Sequence, residues 1–370
     1  MEKMQGAEPD KSRLSGLDGL RGVAIALVLL HHFHSYLLIW WPQGGGLADG
    51  VTARVLNFLW IGVDLFYVLS GFFISKAVLS YRVWDPEHYA KRRLTRIIPA
   101  YYVSMLLTLV ILESHMFQNW QGWTNIGLHL LMLHHWQSWS MFGINGPYWT
   151  LGIEFSYYLL MLALAPWWRG PRGWLLVPAF MVIALVWRSG VFHGVPEADR
   201  FFWSVQLPGA LDEFAWGMLV AYALHKNWFA ALHRYAAACA ALIFVVGVAL
   251  VAFCLYRYTQ LNVNYWTQIW HVVFSRTVLC LGFSLLLTCL LLWREGNPLQ
   301  ILIKAIGLSK LGVISFSVYL YHIPVMIFVY RYYGDLIGGN LLFVFICFVG
   351  IIIFSWLSYQ FIEKRWHPSA

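Results

Sequence analysis

Charge is what this 370-residue chain has least of: Asp, Glu, Lys and Arg together make up 11% of it, against 60% hydrophobic residues. An ordinary soluble domain carries about a quarter of its residues as charges. With a mean hydropathy of +0.63, the composition excludes such a domain and indicates a polytopic membrane protein. Cysteine is scarce as well. Cys239, Cys254, Cys280, Cys289 and Cys347 all fall in apolar runs without metal-like spacing, and read as small core hydrophobes. No metal is expected. There is no low-complexity linker and no internal repeat, so one membrane domain is expected. The missing repeat also speaks against transporters built from paired broken helices.

Apolar runs of roughly 20 residues, the length that crosses a hydrocarbon core, lie near 17–40, 54–80, 96–114, 147–168, 174–190, 204–224, 232–256, 268–293, 309–333 and 339–362. They predict an all-α bundle of about ten transmembrane helices. The stretch 122–142 is apolar but broken by polar residues, and reads as re-entrant or interfacial. The net charge of +8 is no sign of nucleic acid, because Lys and Arg alternate with the loops. One side holds Lys91, Arg92, Arg93, Arg96, Arg169, Arg172 and Lys364 among others; the other holds Arg54, Arg188, Arg200, Arg257 and Arg331. By the positive-inside rule both termini are cytoplasmic. The first run is too long for a cleavable signal peptide and is interrupted by Arg21 and His32. Residues 1–14 are expected to form a disordered cytoplasmic terminus ahead of a membrane domain over 15–366.

Arg21 and His32 stand 11 positions apart in that first run. At 3.6 residues and 5.4 Å per turn they share one helix face, ~16 Å apart. Ionisable residues inside a membrane are costly and face a bundle interior or wet cavity. Counting inward from the helix ends puts Asp64, Glu154, Asp212, Glu213 and His322 near the depth of His32. That coincidence indicates a buried polar chamber. Each residue alone is equally read as a structural partner. His31, turned ~100° from His32, reads as packing or support. Arg93 and Arg96, three apart, share a face at the start of the third run; they read either as topology and lipid contacts or as a phosphate clamp. The Trp- and His-rich segment 115–147, with Trp136, Trp139, His134 and His135, reads as an interfacial belt or an acceptor-stacking surface. It does not read as a zinc site, because adjacent residues point apart.

Several segments, taken in order, resemble the acyltransferase-3 family of membrane-bound acyltransferases. Leu17-Asp18-Gly19-Leu20-Arg21-Gly22 with His32 resembles its opening motif. Gly62-Val63-Asp64-Leu65-Phe66-Tyr67-Val68-Leu69-Ser70-Gly71-Phe72 resembles its second-helix signature, and Arg93-Leu94-Thr95-Arg96-Ile97-Ile98-Pro99 its Arg-x-x-Arg loop. Trp149-Thr150-Leu151-Gly152-Ile153-Glu154 resembles its Trp-Ser-Leu-x-x-Glu motif, with Thr150 in place of Ser. Ser315–His322 and Tyr359–Glu363 resemble its last two helices, although Lys364-Arg365 stands where a Pro often follows. Some relatives carry an extra esterase-like domain, and this chain resembles the stand-alone members.

The resemblance implies transfer of an acyl group, commonly acetyl, from cytoplasmic acyl-CoA to a hydroxyl of an acceptor met across the plasma (inner) membrane. The acceptor is often a cell-envelope carbohydrate, and is also a lipid or a small molecule in parts of the family. On the residues of this chain, His32 is the expected general base, with Glu154 or Asp64 orienting it. Arg21, Arg93 and Arg96 are expected to hold the CoA phosphates. Trp149, Tyr148, His322 and Ser70 are the expected substrate contacts. Expected partners are acyl-CoA, a carbohydrate or lipid-linked acceptor and membrane lipid, with no nucleic acid. Intramembrane His, Asp and Glu at one depth also suit a proton-coupled transporter, the competing class.

Overall fold

The computed structural model describes residues 11–42, 47, 50–229, 236–260, 265–292 and 298–366. Among these residues there is no strand, and ten α-helices of 18 residues or more occupy the ten apolar runs. They are α1 (Lys11–Trp40), α2 (Gly62–Ser80), α3 (Pro86–Ile111), α4 (Tyr148–Trp168), α5 (Leu176–Gly194), α6 (Leu207–His225), α7 (Ala236–Thr259), α8 (Ser275–Leu292), α9 (Ser315–Ile337) and α10 (Leu341–Ser358). Eight helices are long and apolar enough to cross a membrane. The other two, α6 and α9, carry Asp212 with Glu213, and Arg331 with Asp335, respectively. In α6 both acids are wholly buried, so its polar content faces protein.

Helix boundaries follow local chemistry. Pro86 opens α3 where its missing N–H costs nothing, and Asp85 caps that end by accepting from the His88 N–H at 2.9 Å. Asn340 caps α10, accepting from Leu342 N and Phe343 N. The α1 helix starts at Lys11, so the backbone of 11–14, expected to be disordered, forms its first turn; extending an existing helix costs far less than nucleating one. Residues 1–10 lie outside the described residues, as do Arg234 and Arg294, two further basic residues that the charge pattern assigns to the cytoplasmic side. Within 122–142 the only α-helix among the described residues is the 11-residue Trp120–Leu130 segment. It is ~16 Å long and cannot cross a ~30 Å core.

Glycine sets how closely the central helices approach. A Cβ at Gly71 of α2 would sit 2.1 Å from the Phe214 carbonyl oxygen of α6, and one at Gly217 would sit 1.9 Å from the Val68 oxygen. The two backbones therefore touch, as small residues allow in membrane bundles. The crossing brings Asp64 of α2 and Glu213 of α6 onto one buried site beside α1.

The Trp/His segment packs at the Tyr148 end of α4. His129 and His134 stack at 4.1 Å between ring centroids. The His129 Nδ1–H donates to the Asn125 carbonyl at 2.9 Å and the His134 Nε2–H to the Tyr148 carbonyl at 2.9 Å. Burial pushes the His129 imidazole down to about 3, and those of His134 and His135 to about 4. All three are neutral packing groups at pH 7.

Candidate active site

Two adjoining hollows run through the bundle. The first is a narrow cleft of about 80 Å³ beside Arg21 of α1, Arg96 of α3, Ser70 of α2 and Glu154 and Tyr158 of α4. The second is a cavity of about 380 Å³ that reaches His31, His32, Asp64, Trp149, Glu213 and Arg276. Val63, Tyr67 and Tyr319 line both and form the neck between them. The neck is fastened by hydroxyls: Tyr319 OH pairs with Thr150 Oγ1 at 2.7 Å and donates to the Pro147 carbonyl at 3.1 Å. Thr150 supplies that hydroxyl as a serine would, so its departure from the family pattern leaves the contact in place.

The 11-residue spacing along α1 does what its period demands. Arg21 opens onto the cleft and His32 onto the cavity beyond the neck. Arg21 also pairs with Asp18 one turn away at 3.6 Å. Of the two arginines expected to act together on α3, only Arg96 lines the cleft. The Arg93 guanidinium lies over the Tyr89 and Tyr158 rings, 5.7 and 5.9 Å from their centroids. The three-residue offset gives the two a common face, but the aromatic neighbours turn Arg93 aside.

His32 is not oriented by a carboxylate. Glu154 Oε1 accepts from Ser70 Oγ at 2.5 Å and from Tyr158 OH at 2.6 Å. Asp64 lies 3.9 Å from Arg276 Nε, and Arg276 Nη1 lies 3.5 Å from Glu213. The neighbour of His32 is instead His322 of α9, with Nε2 3.2 Å from His32 Nδ1. Depth along a helix gave the height of His322 and Asp64 but not their direction, and Glu154 lies instead in the cleft, on the Arg21 side of the neck. The tautomers follow from the carbonyl partners, which can only accept. His322 Nδ1 carries a proton to the Val318 and Tyr319 carbonyls at 3.1 and 2.9 Å, leaving its Nε2 as an acceptor. His32 Nδ1–H faces both the Val28 carbonyl at 3.0 Å and that Nε2. The neutral His32 ring therefore keeps its basic lone pair on Nε2.

Four expected substrate contacts separate. Trp149 lines the cavity and Ser70 the cleft. His322 is wholly buried and touches His32 instead of the hollow. Tyr148 is wholly buried too; its ring lies against Tyr101 at 4.7 Å and its hydroxyl pairs with Ser104. It is a packing residue, because the first turn of α4 presents Trp149, not Tyr148, to the cavity. His31 borders the cavity and is held by the Leu56 carbonyl at 3.3 Å.

Two arginines escaped the sequence reading. Arg188, expected to flank a span, is wholly buried and forms a two-pronged pair with Asp212 at 2.6 and 3.1 Å. Arg276, inside the 268–293 run, stands between Asp64 and Glu213. The signal was present: three carboxylates at one depth in a membrane call for cations.

A passage with Arg21 and Arg96 at one end and the His32 imidazole beyond its neck has the parts of a membrane-embedded group-transfer enzyme. The chain belongs to the acyltransferase-3 family, whose pattern, described as an acyltransferase domain, matches residues 14–360. It is 27% identical to a putative membrane-bound transacylase, BcsY, of Komagataeibacter xylinus over 96% of this chain and 83% of that protein. It is 22% identical to the peptidoglycan O-acetyltransferase OatA of Listeria monocytogenes over 84% of this chain, and spans about half of that longer protein (49%). It is 27% identical to the putative peptidoglycan O-acetyltransferase YrhL of Bacillus subtilis over 40% of this chain and 23% of that protein. No solved structure matches. Family membership decides between the two classes left open by the sequence, in favour of acyl transfer.

Proposed function

We propose that this protein moves an acyl group, acetyl by analogy with its relatives, from acyl-CoA on the cytoplasmic side to a hydroxyl of a cell-envelope carbohydrate or lipid-linked acceptor arriving from the opposite side. The membrane is then the plasma membrane, with both termini cytoplasmic. The observation that carries this reading is the joined passage, with Arg21 and Arg96 at one end and His32 beyond the neck. Coenzyme A has an anionic nucleotide end, an extended arm and a terminal thioester. Guanidinium groups suit its phosphates, the narrow cleft suits the unbranched arm, and the ~16 Å between Arg21 and His32 brings the thioester to the imidazole.

His32 Nε2 takes the proton from the acceptor hydroxyl as that oxygen attacks the thioester carbonyl carbon. The C–S bond then breaks, and the departing thiolate takes the proton from Nε2–H to leave as free thiol, while the acceptor keeps the ester. Through this exchange the Nδ1–H stays on the Val28 carbonyl and His322 Nε2, which steady the imidazolium. Thermal unfolding with CoA tests donor binding. CoA is expected to raise the Tm of the wild type and to raise that of Arg21→Ala much less. No rise with CoA or acetyl-CoA in the folded wild type contradicts the proposal.

A further inference from the structure

A separate groove of about 470 Å³ runs between α3, α9 and α10, away from the passage. Its walls include Ile111 and Leu112 at the end of α3, Phe328 and Tyr333 of α9, and Ile346 and Phe354 of α10. Thr108 Oγ1 on this wall already donates to the Ser104 carbonyl at 2.9 Å, so that hydroxyl needs no partner from the groove. Ile111, Phe328 and Phe354 are exposed, and the groove opens toward membrane hydrocarbon. Gly350 leaves room on the α10 side, where a Cβ would stand 3.2 Å from Val325 Cγ1. From Tyr321 to Ile337 the groove follows α9 for ~24 Å at ~1.5 Å per residue, most of a ~30 Å hydrocarbon core. It backs the turn that carries His322. Tyr321, Pro324 and Val325 face the groove, whereas Tyr319 and Ile323 face the His32 cavity. Pro324 has no N–H to return to Leu320, and the Leu320 carbonyl accepts instead from Asn145 Nδ2 at 2.9 Å. This turn lacks a helical hydrogen bond, and an empty groove would leave its outer side unpacked.

Shape and charge together select the occupant. A helix of ~10 Å diameter needs far more than this volume over the same length, so the groove suits a slender apolar chain. Charges gather at one end of it. Arg331 Nη1 donates to the carbonyl of Leu112, a wall residue, at 2.7 Å. Its Nη2 stands 3.9 Å from Glu113 Oε1, beyond the ~2.7–2.9 Å of a charge-assisted hydrogen bond. The Arg331 side chain is 46% exposed. Glu113 Oε2 lies 3.5 Å from His115 Nδ1, and Asp335 sits exposed one turn along α9 from Arg331. This end therefore offers guanidinium donors beside two carboxylates. A phosphate diester only accepts and an ammonium only donates, so a phosphoethanolamine headgroup meets both signs. A headgroup with phosphate alone brings its negative charge toward Glu113 and Asp335 without an ammonium to offset them.

We infer that this groove holds one acyl chain of a phosphatidylethanolamine molecule, with the lipid phosphate on Arg331 and its ammonium on Glu113. The site lies outside the passage and does not depend on the acyl-transfer reading. The test uses the full chain in phosphatidylcholine vesicles that carry a trace of phosphatidylethanolamine with a diazirine in one acyl chain. After illumination, adducts are mapped by peptide mass spectrometry, with unlabelled phosphatidylethanolamine or phosphatidylglycerol as competitor. Adducts are expected on Phe328 and Phe354. Phosphatidylethanolamine is expected to compete about 3- to 10-fold better than phosphatidylglycerol, between the scales of an exposed ion pair and a charged hydrogen bond. Arg331→Ala should weaken both competitors, and Glu113→Gln should reduce the preference between them. Ile346→Trp fills the groove and should abolish the adducts; Gly350→Leu fills the same space if that variant does not fold. Adducts spread evenly over the outer faces of all the helices, as a bulk lipid annulus gives, overturn the inference. So do adducts that persist in a folded, groove-filled variant, equal competition by the two lipids, or a cross-link from the groove to a second copy of the chain in place of lipid.

Discussion

Replacing His322 with Leu tests whether the two histidines act as a unit. The substitution removes the Nε2 acceptor 3.2 Å from His32 Nδ1 and leaves the Val28 carbonyl at 3.0 Å. The His32 tautomer is therefore kept, and so is its basic Nε2. What is lost is one hydrogen bond to a group that becomes cationic during the reaction, worth about 1.5–3 kcal/mol. At about 1.4 kcal/mol per decade, kcat falls roughly 10- to 150-fold. Removing the proposed base, in His32→Ala, is expected to cost about 10²- to 10⁴-fold. Because His322 is wholly buried and lines neither hollow, KM for acyl-CoA is expected to stay near its wild-type value. Initial rates of CoA thiol release with acceptor present give both parameters. The double variant should be no slower than His32→Ala, and His322→Gln, whose Oε1 can accept from His32, should recover part of the rate. A wild-type rate in His322→Leu refutes the coupling, as does a double variant slower than His32→Ala by the full His322→Leu factor.

Arg21→Ala and Arg96→Ala should each raise KM for acyl-CoA about 10-fold, on the scale of one hydrogen bond to a charged group; Arg93→Ala, whose side chain lies on Tyr89 and Tyr158, should raise it less, and equal effects in all three would contradict the assigned mouth. Gly71→Ala puts a Cβ 2.1 Å from the Phe214 oxygen and should destabilise the fold by about 1–3 kcal/mol, read as a lower Tm; an unchanged Tm would mean that α2 and α6 do not touch there. His129, His134 and His135 are held at about 3, 4 and 4, below the ~6.5 of the unfolded chain. Their contribution is complete above pH 6.5 and declines as the unfolded state gains protons on acidification, by up to about 2 kcal/mol per histidine at pH 5. The Tm should therefore drop between pH 7 and pH 5, and a variant such as His129→Asn should show a shallower slope.

The fold was largely legible because hydropathy reports length and burial, and all ten apolar runs hold long helices. The Arg21–His32 pair was legible for the same reason: a shared face on one helix is a property of sequence spacing alone. Partners across helices were not. His322 and Asp64 lie near His32, whereas Glu154 lies on the Arg21 side of the neck; which group touches His32 depends on how α1, α2, α4 and α9 are rotated about their axes. That rotation is set by contacts such as Gly71 against Phe214, between residues far apart in sequence. Arg93 and Tyr148 each sit in a matching motif beside a residue that faces a hollow: Arg96 stands three positions from Arg93, and Trp149 follows Tyr148. Arg276 was missed because an isolated cation in an apolar run has no local pattern; only its acids across the bundle reveal it.

The most direct test of the account is acetyl transfer in proteoliposomes, with label on the acetyl group and thiol release followed in parallel, for wild type and His32→Ala with and without an envelope-glycan extract. Thiol release that depends on His32, with label passing to glycan hydroxyls as ester, is the predicted result. Full turnover in His32→Ala, or no thiol release from any acyl-CoA by folded wild type, would contradict it.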